Sequence, residues 1–397
     1  MKIPITKVVL DEQEMQLIQE PLKTGWVVQG PFVQQFEEKF ARFTGAQCAV
    51  TTSSCTTALH ISLAALGVGP GDEVIVPAFT WVATANVAVY LGATPVFCDV
   101  DLDTFNLDPR RLEEKITPRT RAIIPVHLFG LAADMDAIMS LARKHQLQVV
   151  EDAACGFGAY YKDVHVGNFG DAGCFSFHPR KAITTGEGGM ILTGDADLAI
   201  LCRTLRDHGA SRTDLARHTG KAGFLLSQYD HLGYNYRMTD VQGAMGVAQM
   251  DKAAWIQQRR TERARRYDAL LAGVEGLTTP LVPDGCVHGY QSYVCLFQPE
   301  EPSLANVERL HHLRNTVMAE LEEKGIATRQ GTHAVTTLGY YREHFGIRAE
   351  EYPRALLADR LSLSLPLYAQ MTDEEQDYVV DHLKAAMARM RVSARVS

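Results

Sequence analysis

A chain of 397 residues exceeds one average domain of about 100–200 residues. With 46% hydrophobic and 22% charged residues it can bury a large core, as an ordinary globular protein does. The net charge of −8 gives no electrostatic case for nucleic acid, and no apolar run approaches the roughly 20 residues of a membrane span.

The N-terminal stretch MKIPITKVVLDEQEM lacks the apolar segment of a signal peptide. The eight cysteines include no C-x-x-C pair and no zinc-ligand spacing, so no metal site is expected. Several of them (Cys55, Cys98, Cys155, Cys174) lie in or beside apolar strand-like runs, where free cysteine acts as a small hydrophobe. That usage suits a reducing compartment, and the cytoplasm is the expected location.

From about residue 47 short β-branched runs alternate with helical patterns. CAVTTSS reads as a strand entering a loop, and TTALHISLAALG as a helix with Leu59, Leu63 and Leu66 at helical spacing and Gly67 as its stop. EVIVPAFT, TPVFCDVD, RAIIPVHLFG and LQVVED repeat the strand pattern, and Met135, Ile138, Met139 and Ala142 form one helical stripe between the last two. Such alternation indicates βαβ units, a mostly parallel sheet covered by helices, with GGMILTG extending it.

Near residue 203 the character changes. The segment RDHGASRTDLARHTGKAGFLLSQYDHLGYNYRMTD is polar and punctuated by glycine, a long functional loop or excursion. A helical stretch over about 240–267 follows, and its basic cluster, Arg259, Arg260, Arg263, Arg265 and Arg266, reads as a solvated face. Beyond it come the strands YVCLF and LSLSLPL, a helix striped by Leu310, Leu313, Val317 and Leu321, and a capping box at Thr372-x-x-Glu375. The expected fold class is α/β: a large domain over residues 1–250 with an N-terminal arm, and a smaller C-terminal α+β domain over 251–397.

The chemistry concentrates around FSFHPRKAITTGEGG, residues 175–189. A surface lysine needs no strand before it and no two threonines and three glycines after it. Lys181 used as a nucleophile must lose its proton from a reference pKa of about 10.4, which calls for burial or a cationic neighbour. A Schiff base with an aldehyde cofactor is the commonest reason for such a site, with a carboxylate to keep a pyridine nitrogen protonated. Asp152, ending the strand LQVVED, is the candidate, because ligands gather beyond the carboxyl ends of strands in open α/β sheets; a cap or turn role explains it as well. Ser53, Ser54, Thr56 and Thr57 offer hydroxyls and N–H groups at a helix N-terminus, with Ser176 as a further hydroxyl, a phosphate cradle or simply an N-cap. Trp81 is placed either to stack on a ring or to pack in the core. Together these read as a pyridoxal phosphate site.

The ordered set GWVVQGPFVQQFEEKFA, SSCTTALHISLAALGVGPGDEVIVPAFTWVATAN, VVEDAACGFGA, FSFHPRKAITTGEGGMILT, RDHG and LGYNYRMTDVQGAMGVAQM resembles the DegT/DnrJ/EryC1/StrS sugar aminotransferases over nearly the whole chain. These are fold-type I pyridoxal phosphate enzymes of the aspartate aminotransferase superfamily. The resemblance implies that Lys181 carries the cofactor and shuttles protons, that Asp152 pairs with the pyridinium and that Trp81 stacks on the ring. Thr56 and Ser176 match phosphate-binding positions. Asn235 matches an asparagine that reaches the phosphate of the neighbouring subunit's cofactor, which implies a homodimer; a turn with a surface charge at Arg237 is the alternative for that pair.

Three positions depart from the family pattern. Cys55 stands for the usual glycine of the phosphate turn, and Cys155 for the glutamine or histidine that contacts the cofactor's phenolic oxygen. TRQGTHAVTTLGYY lacks the usual His-x-Tyr-x-Pro-Leu-His, leaving Arg237, Arg329 and His333 as substrate candidates. The implied reaction is a ping-pong transfer from L-glutamate, by family habit, to a keto-sugar carried on a nucleoside diphosphate. The alternatives are a cyclitol ketone as acceptor, a sugar dehydratase, or a non-catalytic regulatory relative. The dehydratases have histidine at the lysine position, so Lys181 argues for transamination.

Overall fold

The computed structural model describes residues 1–211 and 227–396, with side chains to residue 390. Seven strands form the main sheet: β1 (Cys48–Thr52), β2 (Glu73–Pro77), β3 (Thr94–Cys98), β4 (Thr120–Ile123), β5 (Gln148–Asp152), β6 (Ala172–Ser176) and β7 (Gly189–Thr193). Their spatial order is β1-β7-β6-β5-β4-β2-β3. Only β7 runs against the rest; it is antiparallel to both β1 and β6, while the other neighbours pair in parallel. GGMILTG therefore enters the sheet between two earlier strands rather than at its edge.

Helices cover both faces, which explains why strands such as β2 are buried along their whole length instead of alternating. The covering elements include α1 (Pro31–Thr44), α2 (Cys55–Ala65), α3 (Ala83–Tyr90), α4 (Met135–His145) and α5 (Ala196–Arg206). α4 buries the expected stripe through Met135, Ile138 and Ala142. Arg206 of the RDHG run is wholly buried and donates to Glu37 Oε1 of α1 at 2.8 Å and to the Thr51 carbonyl of β1 at 2.6 Å. That motif ties three elements together.

The helical stretch after residue 239 is two helices, α6 (Asp240–Asp251) and α7 (Ala253–Leu271), broken at Lys252. Lys252 is held there by Asp11 and Glu14 at 2.6 and 2.8 Å. The basic cluster on α7 is not a solvated face throughout. Arg260 is only 2% exposed and donates to the Tyr290 and Gln291 carbonyls at 3.0 and 2.6 Å, and the buried Arg263 pairs with Asp373. A charge run in sequence says nothing about carbonyl groups that another segment brings against it.

Past α7 a second sheet of three antiparallel strands forms from β8 (Leu277–Thr278), β9 (Tyr293–Phe297) and β10 (Ser362–Leu365). Helices α8 (Val307–Glu323) and α9 (Asp373–Val396) pack together beside it, and the Thr372–Glu375 capping box is present. Ile3 bridges to Ile326, so the first residues lie against this C-terminal part. The middle of the long polar segment, 212–226, lies outside the described residues.

Candidate active site

The site grows from the carboxyl edge of the main sheet. Asp152 ends β5, the fourth of seven strands, and its side chain is buried. Thr84 of α3 donates to Oδ2 at 2.7 Å, and the Ala154 N–H donates to Oδ1 at 3.1 Å. Thr80 stands 3.0 Å from the Thr84 hydroxyl and supplies the next donor in that chain. Burial pushes the Asp152 carboxyl above its ordinary 3.8, while Thr84, Ala154 and the charge of Lys181 hold it back. The Asx-type bond to Ala154 meets the turn reading of Asp152, yet a carboxylate accepts about four hydrogen bonds and keeps lone pairs for a ligand.

Lys181 lies on the connection from β6 to β7. The threonines that follow Lys181 pin this loop: Thr184 Oγ1 donates to the Phe177 carbonyl at 2.7 Å, Thr185 N to the same carbonyl at 3.1 Å, and Thr185 Oγ1 to the Glu187 carbonyl at 2.7 Å. The Lys181 amine is turned inward, with Nζ 3.1 Å from Cys155 Sγ. Burial opposes its positive charge, but the Cys155 and Cys55 sulfurs and the Asp152 carboxylate outweigh that and hold the ammonium above its ordinary value. A lysine depressed by burial was the expectation; its negative neighbours reverse the sign. Behind Cys155 the buried Arg260 feels the same sulfur, while burial draws its guanidinium down to about 10.

The hydroxyl groups meet one strand away. Thr52, Gly189 and Ser176 lie level across β1, β7 and β6. From Thr52 the chain turns through Ser53 and Ser54 into α2, where Ser54 is the N-cap and completes a capping box with Thr57. Both readings of this segment therefore hold. Ser54 and Thr57 cap, while Cys55 and Thr56, the first residues of the helix, present N–H groups that have no helical acceptor. A Cβ at Gly189 would collide with the Ser54 carbonyl and the Cys55 nitrogen, so only glycine lets the turn settle on β7. The Cys55 side chain is buried beneath the turn, its thiol 3.5 Å from the Cys174 carbonyl. Ser176 is half-buried and accepts from the His178 N–H at 3.4 Å.

Trp81 is 60% exposed, so it is not a core residue. Its ring centroid lies 6.1 Å from that of His333, because residues 333–334 pair with residues 79–80. His333 thus joins the site, although its short strand gave no signal of it. Arg329 is exposed, and its backbone bridges to Ser364. Arg237 pairs with Asp207 of the RDHG run. Asn235 bridges to Asp207 through its backbone, and its exposed side chain makes no hydrogen bond to the described residues.

Three contributors escaped the sequence reading. Thr84 stands one helical turn past Thr80, and that spacing was the available signal. Arg260 hid inside a charge run. The third is a wholly buried pair under Asp152, in which His127 Nε2 donates to Glu151 Oε2 at 2.8 Å. His127 Nδ1 accepts from the Ala133 N–H, which fixes the neutral tautomer. Glu151 also accepts from the N–H groups of Gly167, Phe169 and Gly170. Burial alone would raise its carboxyl, but His127 and the backbone donors hold it below the usual 4.5. A depressed carboxyl adds stability that is complete above its unfolded value and lost as pH falls through the folded one. Glu151→Gln, which weakens four hydrogen bonds to a buried carboxylate, should therefore cost about 2–3 kcal/mol at neutral pH, with the gap to the parent closing in acid. Urea unfolding at a series of pH values measures both.

A model of the DegT/DnrJ/EryC1/StrS aminotransferase family matches residues 8–384. The chain belongs to this family. It is similar to the spore coat polysaccharide biosynthesis protein SpsC of Bacillus subtilis, with 39% identity over 382 residues, 96% of each chain. Among solved structures it resembles Spr1654 of Streptococcus pneumoniae in its PMP form, with 29% identity, a TM-score of 0.90, and coverage of 98% of this chain and 100% of the other. Helicobacter pylori PseC, an aminotransferase involved in the biosynthesis of pseudoaminic acid, gives 26% identity and a TM-score of 0.88 over the same shares.

Membership makes the chain a pyridoxal phosphate-dependent sugar aminotransferase of fold type I. The residues present fit that cofactor. A half-buried, inward-turned amine, a buried carboxylate with lone pairs to spare, an open aromatic face and a hydroxyl-rich helix N-terminus share one sheet edge. Among the described residues no group of His, Cys, Asp or Glu could hold a metal ion, and no helix is long and apolar enough to cross a membrane.

Proposed function

We propose that this enzyme moves the amino group of L-glutamate to a keto-sugar carried on a nucleoside diphosphate. The observation that carries the reading is the convergence at one sheet edge of the half-buried Lys181 amine, turned inward against Cys155, and the buried Asp152 carboxylate, each of which acts on the other's ionisation. In this reading Thr56, Ser176 and the α2 N-terminus, with Cys55 shaping the turn, hold the cofactor's phosphate, Trp81 covers the ring and Asp152 binds its nitrogen. Cys155, against Lys181 Nζ, would take the position that contacts the ring's phenolic oxygen.

Bound there, pyridoxal phosphate supplies a carbonyl carbon that takes up the amino group and a ring that stores the electron pair left by a departing proton. The chain's own residues do the rest. With Asp152 matched by a protonated ring nitrogen, its charge no longer supports the Lys181 ammonium, and burial favours the neutral amine. Lys181 Nζ then takes the proton from the donor's α-carbon, and in the second half-reaction returns one to the acceptor's former carbonyl carbon. Trp81 and His333 form one wall of the opening, and Arg329 offers a cation for an anionic substrate.

Asn235, exposed and without a hydrogen-bond partner among the described side chains, is free to serve the cofactor phosphate of a second copy. Leu232, 89% exposed beside it, suits the same contact, so the working unit in this reading is a homodimer. The eight free cysteines agree with a cytoplasmic setting. The test incubates the loaded enzyme with L-glutamate and a panel of nucleotide-linked keto-sugars and cyclitol ketones, with mass detection of products. An aminated nucleotide sugar together with 2-oxoglutarate is expected. Amination of the cyclitol ketones alone would transfer the assignment to that class.

A further inference from the structure

Among the described residues, the Lys181 amine has its side-chain hydrogen bond to Cys155, and the acceptor is sulfur. Nζ and Sγ are 3.1 Å apart. The loop that carries the lysine is fixed on the side facing the cysteine. Arg260, buried, donates to the carbonyls of Tyr290 and Gln291, and Gln291 in turn donates to the Arg180 carbonyl, next to Lys181. Cys155 is half-exposed on the site with a lysine amine against its sulfur, the partly open setting beside a cation in which cysteines react. The other cysteine near Lys181, Cys55, lies buried under the phosphate turn, and burial pushes its thiol well up. Cys174, Cys202 and Cys98 are likewise buried and raised. Chemistry with an oxidant is thereby directed to Cys155 within this site.

We propose that Cys155 and Lys181 form a redox switch, in which a peroxide-oxidised Cys155 is captured by the lysine amine in a covalent sulfur–nitrogen bond. Hydrogen peroxide takes two electrons from the sulfur: its O–O bond breaks, an S–O bond forms, one oxygen stays as the sulfenic acid and the other leaves as water. The lone pair of Lys181 Nζ then attacks the sulfur, the S–N bond forms as the S–O bond breaks, and hydroxide departs with the proton lost from nitrogen as a second molecule of water. The pair ends two hydrogens lighter. A thiol reductant reverses it by attacking the sulfur, releasing the amine and restoring the Cys155 thiol through a mixed disulfide.

The state of the enzyme decides when the switch is open. Lys181 joined to the cofactor has no free amine, whereas the pyridoxamine phosphate form leaves Nζ beside Cys155. An enzyme charged by its donor and short of acceptor is then the form that peroxide shuts off. This dependence rests on the reading of Lys181 given above, which also supplies the neutral amine that bond formation needs.

The test loads the full-length protein with either pyridoxal phosphate or pyridoxamine phosphate, exposes both to a small excess of hydrogen peroxide, and reads intact mass and peptide maps. The pyridoxamine phosphate-loaded protein should lose two hydrogens, yield a Cys155 peptide joined to a Lys181 peptide, and revert with dithiothreitol. The pyridoxal phosphate-loaded protein should show little of this. Cys155→Ser should abolish the link, Cys55→Ser should keep it, and in Lys181→Ala the same sulfur should run on to the sulfinic acid. Sulfinic or sulfonic acid at Cys155 beside an unmodified Lys181 in the parent protein would overturn the proposal, as would a Cys55–Cys155 disulfide. Equal cross-linking in both loaded forms would keep the bond and remove Lys181 from its role as cofactor carrier.

Discussion

Lys181→Ala is expected to lower transamination by at least about 10⁴-fold, since it removes the covalent anchor and the proton carrier together. Folding should be little affected. Among the described residues the side chain contributes a single hydrogen bond, to Cys155, and its charge is carried at a burial penalty. The variant should therefore unfold within a few degrees of the parent while failing to turn over. Two readouts separate lost chemistry from lost structure. The variant should still bind the cofactor through the α2 N-terminus and Asp152, without the parent's visible band. A small primary amine added at high concentration should restore part of the proton transfer, because the truncated side chain leaves room for it.

Asp152→Asn should have the next largest effect. A unit charge about 4 Å from a ring nitrogen is worth roughly 4 kcal/mol at an effective dielectric near 20, which corresponds to about 10³-fold in rate. The residual activity should also lose its acid limb. Burial raises the Asp152 carboxyl above 3.8 in the chain without cofactor; a protonated ring nitrogen beside it would pull it back down, and activity should fall where the carboxylate takes a proton. Thr84 donates to the ionised form and so favours it. Thr84→Val should therefore move the acid limb to higher pH while leaving the plateau nearly intact. An unmoved limb would separate Thr84 from the site and make its bond to Asp152 purely structural. Rate measurements across pH on the three proteins decide both points.

The parts of this site that the sequence made legible are those whose signal is local. Asp152 closes a buried strand and Lys181 sits in a loop crowded with threonine and glycine, and both patterns fit within a dozen residues. The βα alternation was readable for the same reason, since buried parallel strands are continuous apolar runs with helical stripes between them. What escaped depends on partners distant in the chain. The insertion of β7 between β1 and β6 is a matter of pairing order, which the periodicity of GGMILTG does not carry. Arg260 looked solvated because its acceptors, the Tyr290 and Gln291 carbonyls, lie 30 and 31 residues away. The two-residue pairing that sets His333 beside Trp81 is too short to leave a pattern. The direction of the Lys181 shift was missed because it turns on which groups face the amine, and Cys155 and Asp152 outweigh burial.

The central claim is that Lys181 carries the cofactor and that L-glutamate releases it. The visible absorbance spectrum of the purified, cofactor-loaded protein, recorded before and after L-glutamate and beside Lys181→Ala, tests this most directly. A yellow band in the parent that bleaches on adding glutamate with release of 2-oxoglutarate is expected, with an altered spectrum in the variant. A parent protein that stays colourless with the cofactor, or a band identical in Lys181→Ala, would contradict it.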